Sequence, residues 1–279
     1  MTATIPVVPD PRESRQSPQN ARPAAVRRRT VQWGAVLWGA AVPIILVAAW
    51  QGIVASGIIP SYRLPSPGAV VYATIDLAQR GLLVSDIAIS TQRVLLGFAF
   101  GAALGLLVGC LVGLSQRIGL LLAPTIGGFR AVPSLAWVPL LILYLGINED
   151  QKVLLITIGA FFPVYTTVSA ALQHVDRQLV EVGRAFGLNR MTLLTTVQLP
   201  AIVPTVVSGL RLALAQSWLF LVAAELIASS VGLGFLLRDS QDNGRIDRLF
   251  VAIILLAILG KLTDSLVGLL EKYLLRRWS

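Results

Sequence analysis

The chain has 279 residues, of which 55% are hydrophobic and only 13% are charged, whereas soluble domains carry about 25% charged residues. This composition excludes an ordinary soluble domain and predicts a protein that crosses a membrane several times. The net charge of +9 does not predict nucleic-acid binding, because the basic residues flank apolar tracts instead of forming one dense patch.

The first 86 residues change character twice. Residues 1–30 are rich in proline, serine, glutamine and arginine and have no hydrophobic period, which predicts a disordered tail. The apolar tract 33–57 is long enough for the about 20 residues of a membrane-spanning helix and predicts an uncleaved first span; a cleaved signal peptide is the alternative. Residues 58–86 predict an external segment with an amphipathic helix. The apolar face of that helix is predicted to contain Val70, Val71, Ile75 and Ala78.

Residues 87–272 are predicted to form the core of the protein, with five further spans. The span at about 87–114 has a glycine at every fourth position. These are Gly97, Gly101, Gly105, Gly109 and Gly113. Glycine weakens a helix in water, but small residues at this spacing let two helices approach closely in lipid. The pattern therefore predicts close packing against another helix.

The next span, at about 118–145, contains two prolines near its middle, Pro133 and Pro139. Each proline removes a backbone donor and clashes with the preceding turn. The sequence predicts a broken helix here, and such breaks occur where the backbone is buried in protein or lines a cavity. The other predicted segments are spans at about 153–172, 201–227 and 249–270, a loop at 228–248, and a tail at 273–279.

The lysines and arginines indicate the orientation of the chain. An even number of spans places both termini on one side of the membrane. Most basic residues outside the spans lie in the terminal segments, at 115–117 and at 173–198. The positive-inside rule therefore predicts that both termini and segment 173–198 are cytoplasmic.

Segment 173–198 is a polar interruption between two spans. One predicted helical face contains Leu179, Val182, Gly183 and Phe186. Gly187 follows where a helix end favours a left-handed residue, and a second short helix at 191–198 leads to Pro200, which suits the first turn of the next span. The segment is predicted to be a helix–turn–helix that projects from the membrane and docks a soluble partner. A helix that lies on the lipid surface is the alternative.

At this point the sequence resembles a known family, the inner-membrane permease subunits of ABC importers. That family carries a cytoplasmic motif of E-A-A, three residues, G, nine residues, I, any residue, L-P. Glu181 opens the motif here, and Gly187 and Pro200 stand at its glycine and proline. Val182 and Gly183 replace the two alanines, and a valine replaces the isoleucine.

The resemblance extends over about residues 61–272. The stretches "LPSPGAVV", "RAVPSLAWVPLLILYLGINEDQK" and "VAAELIASSVGLGFLL" look like the branch that imports aliphatic sulfonates, taurine, nitrate and related small anions. The resemblance implies an all-α integral membrane protein of the bacterial inner membrane, with six transmembrane helices and the type I ABC importer permease fold.

The resemblance also implies partners. Segment 173–198 would be the coupling loop that inserts into a groove of a separate ATPase subunit, present in two copies, which binds ATP and Mg. A second permease copy or a sibling chain, a periplasmic or lipid-anchored solute-binding protein and the lipid bilayer complete the set. The residues implied in coupling are Glu181, Arg184, Ala185, Phe186, Gly187, Leu188 and Pro200.

The residue types of catalytic and metal sites are scarce. The chain has one cysteine, Cys110, and one histidine, His174, so it offers no cluster of Cys or His ligands. It has no G-x-x-x-x-G-K-[ST] phosphate loop, no Ser/His/Asp group and no paired carboxylates. The sequence predicts no catalytic residue, no metal and no cofactor bound by this chain.

Ionisable residues inside the apolar spans are the candidates for a translocation pathway. Each costs about 2.5–3.5 kcal/mol at the centre of a spanning helix, so such residues usually face a bundle interior or a water-filled path. The guanidinium of Arg130 suits an anion, although lipid phosphate or the ATPase are alternative partners. Arg211 is expected to pair with Glu225 or to line the pathway, and Lys261 to pair with Asp264. The candidate pathway residues are Arg130, Pro133, Pro139, Arg211 and Glu225.

The favoured function is the permease subunit of an ATP-driven importer, which moves a small anion such as an alkanesulfonate, taurine or nitrate by alternating access. A membrane-embedded enzyme would need a catalytic cluster near one membrane interface. A passive channel would need no cytoplasmic docking element. The sequence shows no catalytic cluster, which argues against the enzyme. It has a predicted docking element, which argues against the channel, so the permease is favoured.

Overall fold

The computed structural model describes residues 33–278, and within them the backbone is helical with no β-strand. The chain divides into two compact units between Ala48 and Ala49. Helix α1, Trp33–Ala55, extends across this division. The tail predicted at 1–30 lies outside the described residues.

The second unit consists of helices that run back and forth. Their bounds are α2 Pro67–Gln79, α3 Leu82–Leu114, α4 Gln116–Ala131, α5 Val138–Leu145, α6 Glu149–Gln173, α7 Arg177–Ala185, α8 Arg190–Leu193, α9 Leu199–Ala228, α10 Leu233–Asp242 and α11 Ile246–Trp278. A 3-10 turn, Ser134–Trp137, precedes α5, and a π-helical turn, Leu194–Gln198, joins α8 to α9. This architecture confirms the predicted all-α fold class.

The number of spans differs from the prediction. Four helices are long and apolar enough to cross a membrane, namely Leu82–Leu114, Glu149–Gln173, Met191–Ala228 and Ile246–Leu269. The bent pair Gln116–Ala131 and Ser134–Leu145 makes a fifth if it is counted as one span. In the first predicted span, the apolar helix Ala41–Ala55 is shorter than these. The described part of the chain therefore supports four or five spans, and six is not confirmed.

The glycines of α3 pack against α6, as the four-residue spacing predicts. A Cβ atom on any of the five would come within 2.5–2.9 Å of an α6 atom. The α6 side chains opposite them recur with the same spacing: Ile156, Ala160, Val164, Val168 and Leu172. Because the residue numbers rise together along both helices, α3 and α6 run parallel, with their backbones at the separation that glycine permits.

α9 runs antiparallel to both of these helices. Gly209 of α9 meets Thr167 of α6, and Phe220, further along α9, meets the earlier Gly159. Apolar side chains from α3, α6 and α9 form a shared buried core around Leu155. We call the end of the bundle that carries α7 the α7 end and the opposite end the α10 end.

Gly101→Val is expected to destabilise the bundle. A Cβ at Gly101 would lie 2.5 Å from the Thr157 carbonyl oxygen and 2.6 Å from the Ala160 Cβ, so α3 and α6 must separate, and overpacking of this kind costs about 1–3 kcal/mol or more. Gly127→Val in α4 is the matched control, because nothing lies within 4 Å of its Cβ position. Thermal unfolding of the purified proteins compares the two, and equal melting temperatures would contradict the close packing.

The break predicted within 118–145 is confirmed, with a bend of 84° between the two parts. The backbone is extended at Val132 and at Pro133, where ψ is 123° and 119°. Pro139 instead stands in the first turn of α5, where a missing N–H is tolerated. Pro133 therefore marks the break, and Pro139 begins the next helix.

The buried face of α2 differs from the predicted one. Val70, Ala73 and Leu77 are buried, whereas Val71 and Ile75 are exposed, as is Ala78. The helix carries two apolar stripes, and packing against α11 selects the one that begins at Val70. Of the four residues on the predicted apolar face, Val70 is the one buried within the chain, because helical period alone does not decide which of two adjacent stripes packs on α11.

Three segments are more helical than predicted. The loop at 228–248 contains α10, and the tail at 273–279 continues α11 through Trp278. The helix predicted at 191–198 is not separate but continuous with α9. Its π-helical turn, in which Leu199 N–H bonds the Leu194 carbonyl, accommodates the proline that follows.

Candidate functional site

The segment between α6 and α9 forms a helix–turn–helix at the α7 end. Asp176 caps α7, since its carboxylate accepts a hydrogen bond from Gln178 N–H at 2.8 Å. Gly187 ends the helix with φ of +75°, which confirms the predicted left-handed residue. Nothing lies within 4 Å of its Cβ position, so backbone conformation, and not space, requires glycine here.

The inner side of α7 packs on α8. The two helices are so close that a Cβ atom on Gly183 would lie 2.5 Å from Leu193 Cδ1. Leu193 is buried. Asn189 begins α8, because its side-chain oxygen accepts hydrogen bonds from Thr192 N–H and Oγ1 at 2.8 and 2.9 Å. This Asn cap, a local signal in the sequence, is not among the predicted features. α8 continues into the spanning helix α9.

The outer side of α7 presents apolar side chains to solvent. Phe186 is 82% exposed, and Leu179, Val182 and, on α8, Met191 are also exposed. Three of the four residues predicted for the apolar face therefore lie outward, while Gly183 lies inward. Grouped apolar side chains on a surface mark a contact with another molecule.

The other predicted coupling residues surround this apolar tip. Glu181, Arg184 and Ala185 are exposed, and Leu188 and Pro200 are half-buried. Arg184 lines clefts of about 880 Å³ and about 440 Å³. The structure thus brings the predicted coupling residues together on and beside one projecting element.

A buried charge network lies at the α10 end. Glu225 of α9 is 0% exposed, and its carboxylate accepts hydrogen bonds from Arg93 Nη1 at 2.6 Å, from Ser90 Oγ at 2.8 Å and from Gly234 N–H at 2.7 Å. The Glu225 side chain fills the space beside Gly232 and Gly234, where any Cβ would collide with it. A carboxylate buried in this way is tolerated because its two oxygens accept these hydrogen bonds and face the Arg93 cation.

Arg93 joins three helices through this network. Its Nε and Nη2 donate to both oxygens of Glu149, each at 2.6 Å, while Nη1 donates to Glu225 and to the Val231 carbonyl. Lys152 adds a second cation to Glu149 at 3.0 Å. Arg93 is not among the predicted site residues, although an arginine within an apolar span, matched by a glutamate in another, is the signal that identifies it.

The same network holds the start of α10. Gly232 N–H donates to Asp86 at 2.8 Å, and Leu233 N–H donates to Ser90 at 2.9 Å. Gly232, with φ of +125°, supplies no side-chain cap, so side chains of α3 and α9 satisfy the free N–H groups of the first turn. α10 is therefore fixed to the bundle by α3 and α9.

Glu225 lies buried within the bundle, paired with Arg93. Its predicted pairing with Arg211 is wrong, because the two residues are fourteen positions apart on one helix, about 21 Å at 1.5 Å per residue. Arg211 instead donates to both oxygens of Asp264 at 2.8 and 2.9 Å and approaches Glu271 at 3.4 Å. Lys261 reaches Asp264 only at 3.8 Å, so the predicted pair is present but secondary.

The remaining candidates meet at the bend between α4 and α5. Arg130 is exposed in the last turn of α4, and Pro133 is exposed at the break. An apolar cavity of about 250 Å³ lies beside the bend, between Phe129, Trp137 and the aromatic side chains of α6. The candidates at this bend, Arg130, Pro133 and Pro139, therefore lie on α4, at the break and on α5, whereas Arg211 lies on α9.

Outside the spans, α2 is attached to α11 by Asp76, whose carboxylate accepts from Arg248 Nη2 at 3.0 Å. A hydrogen bond from Arg80 at 2.8 Å, more than the attraction of Arg248, holds the pKa of Asp76 below its ordinary value. Because the folded-state pKa is lower than the unfolded-state pKa, the ionised carboxylate stabilises the fold at pH values above the unfolded-state pKa. This stabilisation is lost as the pH falls through the folded-state pKa.

Known proteins share this sequence and fold. A family model described as "Binding-protein-dependent transport system inner membrane component" matches residues 101–276. Two proteins named aliphatic sulfonates transport permease protein SsuC, from Bacillus subtilis (strain 168) and Escherichia coli (strain K12), are 41% and 40% identical over 238 and 235 residues. The matches cover 85% and 84% of this chain and 86% and 89% of theirs. An inward-facing structure of the MetNI methionine ABC transporter is similar in fold, with a TM-score of 0.60 over 71% of this chain and 96% of that one, at 22% identity.

Proposed function

Because this chain belongs to the family of binding-protein-dependent transport system inner membrane components, we propose that it forms the pathway by which an importer moves a small organic anion, an alkanesulfonate first of all. It is a permease component, and the hydrolysis of ATP belongs to a separate subunit. The sulfonates named for its relatives support the substrate class, with taurine and nitrate as neighbouring chemistries.

The observation that carries the proposal is the projecting element at the α7 end. Phe186 is exposed at its tip, Gly187 fixes the turn, and Gly183 packs the element onto Leu193. An ATPase groove that closes over α7 would move α8 with it, because Gly183 of α7 packs on Leu193 of α8. α9 would follow, because α8 and α9 form one continuous helix. Nucleotide-driven closure of the partner is thereby converted into a movement of spanning helices, which is what alternating access requires.

This proposal sets the orientation and the partners. The α7 end and both termini face the cytoplasm, two ATPase subunits bind two permease copies, most simply two copies of this chain, and a solute-binding protein delivers the anion at the α10 end. The predominance of basic residues in the segments at the α7 end supports this orientation. Arg130, Pro133, Pro139 and Arg211 are the proposed pathway residues, and Glu225 is proposed to brace the mouth of the pathway at the α10 end.

Uptake by the native host tests the proposal. Deleting the gene is expected to abolish uptake of at least one of ethanesulfonate, taurine and nitrate, and re-expression of the full chain is expected to restore it. Restored uptake should stop when cellular ATP is depleted. Uptake that continues without ATP would favour a passive channel, and unchanged uptake of all three anions in the deletion strain would overturn the substrate class.

A further inference from the structure

A charged patch lies on the outer surface of α9 and α11, far from both ends of α9. We define this mid-span patch as Ser208, Arg211, Lys261 and Asp264, with Glu271 beside Arg211 just beyond Leu269, the end of the spanning part of α11. The side chains of Arg211, Asp264 and Lys261 are 41%, 32% and 78% exposed. Arg211 lies twelve residues after Leu199 and seventeen before Ala228, about 18 Å and 26 Å along the helix axis.

Lipid is an unsuitable neighbour for this patch. Ionisable groups at membrane depth face a protein interior or a water-filled cavity, and these side chains are exposed on the surface of the chain. The adjacent face of α11 has the opposite chemistry, since its exposed side chains are apolar. These are Ile258, Leu262, Leu266 and Leu269. α11 therefore presents one face suited to lipid and, next to it, one suited to water.

The surface around the patch is open and its charges balance. Gly260 has nothing within 4 Å of its Cβ position, and the Cβ position of Gly268 lies 4.0 Å from Arg211 Cζ. Arg211 occupies both oxygens of Asp264, so Lys261, at 3.8 Å, is the less committed cation. Two cations and two carboxylates together give no net charge, so an anion would meet the Lys261 ammonium in an otherwise balanced site and would not be held tightly. A conducting pathway needs sites of this weak kind.

Building on the function proposed above, we propose that the mid-span patch lines the water-filled translocation path and that Lys261 is the cation that the passing oxyanion meets. Sulfonate, nitrate and carboxylate groups share the required chemistry, a single negative charge spread over oxygen atoms. The apolar face of α11, from Ile258 to Leu269, then faces lipid.

Thiol labelling tests which face meets water. Cys110 is the only cysteine of the chain, so Cys110→Ala gives a background in which Lys261→Cys can be compared with Leu262→Cys, its neighbour at the same depth. A charged methanethiosulfonate reagent is applied to inside-out vesicles that contain the assembled transporter. We expect complete labelling at position 261 under conditions that leave position 262 unlabelled, because the thiolate forms in water and not in lipid.

Each other labelling result overturns the inference. Equal labelling of both positions would place the whole of α11 in water, and labelling of neither would mean that another protein surface covers the patch. Since this readout does not depend on transport, it separates failure of this inference from failure of the proposed function.

Charge at Lys261 is tested by uptake. Lys261→Gln is expected to lower the uptake of the transported anion roughly tenfold, the lower end of what a charged pathway contributes by steering, while Lys261→Arg retains most of it. Both variants should reach the membrane in wild-type amounts, because Lys261 is exposed and loosely paired. Equal uptake by Lys261→Gln and wild type would remove Lys261 from the pathway.

Discussion

Arg93→Leu is expected to destabilise the protein severely, because it leaves Glu225 buried without its cation. Glu225 is 0% exposed and would keep only Ser90 Oγ and Gly234 N–H as partners. Removing one partner of a buried ion pair costs about 3–5 kcal/mol, a large part of the about 5–15 kcal/mol that holds an ordinary domain together. Thermal unfolding in detergent and the amount of protein in the membrane measure the effect.

Two further variants show whether the stability lost in Arg93→Leu comes from the unpaired buried charge of Glu225. Arg80→Leu removes an arginine that pairs with Asp76 on an exposed surface, and surface pairs of that kind contribute little to stability. Arg93→Leu combined with Glu225→Leu removes both buried charges and should recover part of the stability. An Arg93→Leu protein as stable as Arg80→Leu would show that the network does not organise the α10 end.

This network illustrates what could not be predicted from the sequence. Arg93 is 56 residues from Glu149 and 132 residues from Glu225, and their meeting depends on the register of α3 against α6 and of α6 against α9. Composition places each residue in an apolar segment but does not set that register. The predicted pairing of Glu225 with Arg211 overlooked their separation along one helix. Helix geometry alone could have excluded this pair.

Contacts that repeat along one helix were predictable. The glycines of α3 recur every fourth residue, and α6 meets each of them, because a stripe that follows the helical period faces one neighbour throughout. α10 shows the opposite case. Its first amides are satisfied by Asp86, Ser90 and Glu225, so the local sequence carries no capping residue and 228–248 looked like a loop.

Segment 173–198, the predicted coupling loop, was predictable in part. Motif spacing located Glu181, Gly187 and Pro200, and the left-handed turn at Gly187 is confirmed. The inward packing of Gly183 on Leu193 was not predicted, because helical period alone placed Gly183 on the same face as Phe186. The π-helical turn that carries α8 into α9 has no sequence signature apart from the proline after it.

Phe186→Asp is expected to abolish import without disturbing the fold. Phe186 is 82% exposed at the tip of α7, so its loss leaves no cavity within this chain. In the proposed complex the ring is an aromatic anchor in the ATPase groove, and anchors of this kind contribute about 2 kcal/mol or more to binding, while a carboxylate in an apolar groove would be unpaired. We expect the ATPase subunit to be lost from the purified complex and uptake to fall to the level of the deletion strain.

Tyr62→Asp is the matched control for this variant. Tyr62 is also a large exposed aromatic residue, 68% accessible, but it precedes α2, on the side of the membrane proposed to face away from the ATPase. The same change of charge and volume there should leave ATPase retention and uptake intact. If Phe186→Asp instead retained the ATPase and full uptake, α7 would not be the element that transmits the nucleotide cycle. The continuity of α8 with α9 would then have a structural role only.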